Sequence, residues 1–253
     1  MKEYYLNDLI EYIDCPLKYR LKKEIGLEGS CDLSSNSIIS SALAETYLRA
    51  CHLYAQGRPM TVQERAKHFS KVWNSLKDKF VSNGGSENRA HAQLIASHKK
   101  VIDMTRLVPE GWDISLVDFA TERVLGGALV HDSIDLALVN SKNTKIIELI
   151  FLDRSLEKDM STDFRTILRA LFNYHYFKSE LAGVPDLKIR CISLNLHHGK
   201  RKPIQFTPDI VNRYRYVTAD IISSIESKLY YPRPGALACK HCLFTKECYF
   251  SQA

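Results

Sequence analysis

The spacing of hydrophobic and polar positions changes once along this chain. Up to about residue 107 the apolar side chains recur three and four residues apart, the period of a helix face; from Trp112 they alternate, the period of a strand. In the first part, Asn7 is a good N-cap for a short helix carrying Leu9, Ile10 and Ile13 on one side, and Pro16 breaks it with Cys15 at the corner. A second helix runs from about Ser37 to Gln56 and stops at Gly57-Arg58-Pro59. Thr61-Val62-Gln63-Glu64 is a capping box for a third, with Phe69, Val72, Trp73, Leu76 and Phe80 on one face. Beyond Asn83-Gly84-Gly85, Ser86 to about Leu107 reads as one more helix.

In the second part, Trp112–Val124 and Ala128–Val139 read as antiparallel strands about a Gly126-Gly127 turn. Ser141–Thr144 turns into a third strand, Lys145–Leu152. A helix follows from about Thr162 to Leu181, then strands at Leu187–Leu196 and Pro203–Phe206, a helix over Asp209–Leu229, and a cysteine-bearing tail after Pro232. This order predicts an α/β protein with a mixed sheet flanked by helices. Its expected parts are a helical lobe over residues 1–110, an α/β core over 111–207, and a closing helix and tail over 208–253.

Composition narrows the function classes. The chain has 253 residues, is 45% hydrophobic and 25% charged, and carries a formal net charge of +6, which permits a polyanionic partner. No apolar run reaches the ~18–20 residues of a membrane span, and the first residues do not resemble a signal peptide. Seven cysteines without such a signal point to a reducing, cytoplasmic setting and to metal rather than disulfides.

Two groups carry candidate chemistry. Cys239, Cys242 and Cys248 stand at C-x2-C-x5-C spacing, and Cys15, far upstream in Tyr12-x-x-Cys15-Pro16-x-x-Tyr19, supplies a fourth thiol. Four thiolates suit structural zinc or an iron–sulfur cluster, and spacing alone does not separate them. Cys31, Cys51 and Cys191 read as ordinary buried thiols. Asp135 and Glu148 lie inside apolar strands, where a lone carboxylate is costly. On neighbouring strands they either share a hard cation, Mg²⁺ or Mn²⁺, or each pairs with an arginine. His131 and Asp132 lie close by in sequence.

Basic residues interleave with aromatics at Tyr174-His175-Tyr176 and Arg213-Tyr214-Arg215-Tyr216, and Lys200-Arg201-Lys202 follows His197-His198 in a loop. Such surfaces suit phosphates and unstacked bases. Arg165 and Arg169, on the helix after the third strand, extend the basic set.

The cysteine pattern, with Tyr12 and Tyr19 about Cys15-Pro16, resembles the iron–sulfur branch of the PD-(D/E)XK nuclease superfamily, which includes RecB-like exonucleases and the CRISPR-adaptation nucleases. The resemblance implies a restriction-endonuclease-like core from about Trp112 to Phe206 and a 4Fe–4S cluster on Cys15, Cys239, Cys242 and Cys248. It also implies a metal site made by Asp135, Glu148 and the carbonyl of Leu149, with DNA, single-stranded or at ends, as the partner. Where the family's motif lysine is expected this chain has Ile150; at the upstream histidine it has Ala44, and of a glutamine–tyrosine pair at Ala170 and Tyr174 only the tyrosine is kept. An isoleucine can neither orient a water nor stabilise developing negative charge. The resemblance therefore implies a nuclease fold with weakened or lost catalysis, a DNA-binding subunit of a recombination, CRISPR-related or viral DNA-handling complex. An active exonuclease with a displaced basic residue (Lys145, Arg154, Lys158, Arg165 or Arg169) and a zinc-stapled protein-interaction module are the alternatives.

Overall fold

A computed structural model describes residues 1–27, 35–82, 86, 108–153, 163–233, 239, 242, 244 and 248. The expected helix from Ser86 to Leu107 lies outside them apart from its first residue, as do Cys31, Arg154 and Lys158 and the side chains of Phe80 and Arg215. The chain divides into two units.

The larger unit comprises Leu33–Thr121 and Ser133–Phe206. Helices α3 (Ser35–Ala55) and α4 (Val62–Ser82) pack on each other. The capping box forms as read: the Thr61 hydroxyl accepts from Glu64 N–H at 3.2 Å, and the Glu64 carboxylate accepts from Thr61 N–H at 2.8 Å. Strands β2 (Trp112–Leu125), β3 (Ala128–Asn140), β4 (Asn143–Asp153), β5 (Lys188–Asn195) and β6 (Lys200–Pro203) supply the sheet. β4 runs antiparallel to β3 and parallel to β5, and β6 is antiparallel to β5, so the sheet is mixed, as expected. One sheet face carries Leu136, Leu138, Ile150, Leu152, Ile192 and Leu194 into a core with Leu43, Tyr47, Phe69 and Trp73 of α3 and α4. Burying each large apolar side chain there contributes about 1.5–3 kcal/mol. The opposite face is covered by α5 (Phe164–Glu180), whose Asp163 caps it by accepting from Arg165 and Thr166 N–H.

For the basic stretch after β5 the sequence predicts a loop ahead of a strand at Pro203–Phe206. Instead Lys200–Pro203 is the strand, paired with Ile192–Asn195, and only residues 196–199 turn.

The smaller unit comprises Met1–Asp32, Glu122–Asp132 and Thr207–Ala253. A short strand β1 (Glu3–Tyr5), absent from the sequence reading, pairs parallel with the start of β3, Glu3 opposite Leu129. Helix α1 spans Leu6–Asp14 with Tyr5, not Asn7, at its N-cap. Cys15 is an extended corner after α1, as expected, and Pro16 opens a helix that the sequence does not predict, α2 (Pro16–Lys23). The cap of the last helix, α6 (Pro208–Glu226), is Thr207. Gly126 and Gly127 both have positive φ, and a Cβ at Gly126 would stand 3.3 Å from Ala219 Cα of α6. Glycine there serves both the turn and the close approach.

Candidate functional site

Asp135 and Glu148 are both buried, as carboxylates on interior strands should be. The structure does not bring them together. At the β3–β4 turn Asn140 pairs with Asn143, and an unbroken ladder from there would set Asp135 directly opposite Glu148. The register slips at once: Val139 pairs with Ile147, and Leu138 with Glu148. The slip is three residues, an odd number, and an odd slip carries every later side chain to the other face.

Local hydrogen bonds account for it. Asn140 Oδ1 accepts from the N–H groups of Lys142 and Asn143, and Asn143 Oδ1 accepts from Lys145 N–H at 3.1 Å. Asparagine side chains here compete with the ladder for backbone donors.

Glu148 therefore shares its sheet face with Leu136, Leu138 and Ile150, which pack into the core that also holds Ala44 of α3. Its charge is met by Arg201 of β6, in a close ion pair, and by Arg190, its register partner on β5, at 3.9 Å. Ile150 and Ala44, where the resemblance implies a lysine and a histidine, are buried and apolar. Tyr47 of α3 lies within the field of Arg201, and burial raises its phenol well above the ordinary value. Burial also pushes the neighbouring Cys51 thiol up to about 12. Cys51 and Cys191 are inert buried thiols, as read, and the Cys191 thiol bonds the Ala170 carbonyl.

Asp135 faces α5. Its carboxylate accepts from Leu152 N–H at 2.8 Å, beyond the last β3–β4 pair, and Arg169 stands 3.9 Å away. Arg169 also donates to the Ser133 carbonyl at 2.8 Å and lies over the Phe151 ring. Below it, Asn173 Nδ2 donates to the Arg169 carbonyl and Asn173 Oδ1 accepts from Thr121. Asp153, at the end of β4, accepts from Asn195 Nδ2 at 3.0 Å. Sequence reasoning missed Asp153, Asn173 and Asn195, and Arg201 as the partner of Glu148. The two asparagines beside the Ser141-Lys142 turn were the available signal that strand parity would break.

A cation bridging Asp135 and Glu148 does not fit this arrangement: the carboxylates point to opposite faces and each is held by an arginine. Leu149, whose carbonyl was to complete the site, is buried in β4 opposite Ala137.

The other expected contacts divide. Arg201 and Arg169 are engaged with the carboxylates, while Arg165, Lys200, Lys202 and Arg213 are surface or half-buried side chains. Tyr174 packs edge-on against Phe206 under Lys178. Tyr214 is buried and Tyr216 is 72% exposed, so α6 presents one aromatic of the pair. His197 is buried against Ser40 at 3.0 Å, and His198 is exposed. Lys145 pairs with Asp186.

In the smaller unit, Cys15, Cys242 and Cys248 pack around Leu17, Leu21 and Phe244, and Cys242 N–H donates to the Cys239 carbonyl at 3.1 Å. Thiols are the right donors for a zinc or iron–sulfur centre, but the described arrangement does not gather them into one. Among the described residues, no three His, Cys, Asp or Glu side chains stand close enough together to hold a metal ion. The segment before the tail is tied to α1 and α2: Tyr12 donates to the Leu229 carbonyl, Leu17 N–H to Tyr231 and Arg233 to Ile13. Tyr12 and Tyr19, the flanking pair of the cysteine motif, both contact the Tyr230 ring, and burial pushes the Tyr19 phenol up to about 12. The basic cluster on α2 is spent locally, Lys22 on Glu11, Lys23 on Asp8 and Arg20 over Tyr230.

No protein-family model and no curated protein matches the sequence. A solved structure described as "Crystal structure of SSO0001" is similar over 98% of this chain and 87% of that chain, with 12% identity and a TM-score of 0.41. Among the described residues, no helix is long and apolar enough to cross a membrane.

Proposed function

We propose that the chain is an iron–sulfur protein of the PD-(D/E)XK nuclease type whose catalytic site has been packed shut, and that it serves as a DNA-binding subunit of a DNA-processing assembly. The observation that carries the catalytic half is the parting of Asp135 and Glu148 to opposite sheet faces, each neutralised by its own arginine. Hydrolysis in this fold needs carboxylates converging on one cation that polarises the phosphodiester and activates water. Here the neighbours of Glu148 on its sheet face are the apolar Leu136, Leu138 and Ile150 instead. Cys15, Cys239, Cys242 and Cys248 would hold the cluster, whose contribution is to cross-link the segments that the Tyr12, Leu17 and Arg233 hydrogen bonds already join. The basic charge balance and the exposed cations support DNA as the partner.

The test is degradation and binding of end-labelled single- and double-stranded DNA by anaerobically purified protein with Mg²⁺ or Mn²⁺. Binding without cleavage above that of an Asp135→Asn/Glu148→Gln variant is expected. Cleavage by the wild type that the variant lacks would sink the closed-site reading, and absence of DNA binding would sink the partner.

A further inference from the structure

The cations singled out in the sequence are partly spent on the two carboxylates, whereas a second set lies on the outer side of α3 and α4. Arg49 and His52 of α3, one helical turn apart, face Lys67, His68 and Lys71 of α4, and Arg58 closes one end in the connection between the helices. Two adjoining depressions of ≈ 500 and ≈ 750 Å³ share Arg49, His68 and Lys71. Arg49, Arg58, Lys67 and Lys71 are exposed. Three carboxylates also line the depressions, Glu45, Glu64 and Asp118. Glu64 closes the capping box on Thr61, and Glu45 stands 3.9 Å from His68. Among the described residues, Arg49, Lys67 and Lys71 have no carboxylate partner. Between the two basic walls the floor is apolar, made by Leu48, Leu53, Pro59 and Met60.

We infer that this trough is the seat of a nucleic-acid strand, a proposal that rests on the DNA-binding reading above and names its surface. Two walls of cation about an apolar floor suit one sugar–phosphate backbone with its bases turned inward. Lys67 and Lys71 are one helical step apart, about 6 Å along the axis. That is comparable to the distance between successive phosphates of an extended strand. A single strand fits such a channel better than a duplex, whose two backbones present a broad convex face.

The full chain is titrated with a labelled oligothymidylate across a range of salt concentrations, read by fluorescence anisotropy. Lys67→Ala/Lys71→Ala is expected to bind about tenfold more weakly at low salt. Its plot of log affinity against log salt should be shallower by about 1.4, two phosphate contacts at about 0.7 each. A Lys142→Ala/Lys188→Ala control, which removes the same formal charge elsewhere in the same unit, should bind within about twofold of wild type. If the wild type binds and the trough variant binds equally well, the trough is not the surface while the DNA-binding reading stands. Equal losses in both variants would reduce the effect to net charge and overturn the inference. Failure of the wild type to bind overturns both readings, and binding to anionic vesicles or polyglutamate in place of the oligonucleotide overturns the choice of partner.

Discussion

Asn143 and Asn140 do more to decide the candidate site than either carboxylate. Their side chains take backbone donors at the β3–β4 turn and the register slips by an odd step, which leaves Asp135 and Glu148 back to back across the sheet. Each then behaves as a buried charge that must be matched. Arg201→Leu strips the close partner from Glu148 and should destabilise the protein by about 3 kcal/mol in urea unfolding. Glu148→Leu/Arg201→Leu, which removes both charges from an already apolar face, should recover most of that loss. A double variant as unstable as the single would mean that Arg201 acts through packing alone. Both carboxylates were recognisable from sequence because each interrupts an apolar strand. Their mutual orientation was not, since it hangs on hydrogen bonds of two turn residues whose effect is propagated by strand parity.

Among the described elements, those the periodicity predicts appear where the pattern puts them, α2 and β1 are additions to it, and the other differences gather at element ends. Tyr5 rather than Asn7 precedes α1 because Glu3–Tyr5 is drawn into a parallel pair with β3, a long-range contact no local signal encodes. The Lys200–Pro203 strand was hidden by its charge: an edge strand needs only one apolar face, and lysines also discourage further pairing. The capping box, a purely local device, was fully legible. The Thr61 N–H and hydroxyl hold the Glu64 carboxyl below the usual carboxylate range. A carboxyl lowered in the folded state adds stability above its unfolded value and loses it as pH falls through the lowered folded value. Glu64→Gln should therefore melt below wild type at neutral pH and converge with it in acid, in parallel thermal scans. A gap unchanged across that range would show that the amide, not the charge, makes the difference.

At the scale of the whole molecule, the smaller unit is assembled from three separated stretches of chain, and Cys15, Cys242 and Cys248 pack against Leu17, Leu21 and Phe244. Cys242→Ser should lower soluble yield and melting temperature and bleach any visible absorbance of the anaerobic protein. A variant with the colour gone and the melting temperature intact would mean that the centre is not structural. A colourless wild type that binds zinc would replace iron with zinc in the same role. The α/β class and the mixed sheet could be read from the order of periodic segments; the partition into units could not, because the smaller one joins the ends of the chain through Tyr12–Leu229 and Ile13–Arg233 hydrogen bonds.

Those same bonds set a timetable. The carbonyl that receives the Tyr12 hydroxyl lies 217 residues downstream, and the guanidinium that reaches Ile13 lies 220 residues downstream. At a synthesis rate of about 5–20 residues per second, α1 and α2 leave the ribosome about 10–40 s before their partners exist. For that interval the faces of Tyr12 and Tyr19 that pack on Tyr230 have only each other to cover them. The earliest helices of this chain are thus among the last to find their place, and their safekeeping falls to whatever shields nascent apolar surface in the cell.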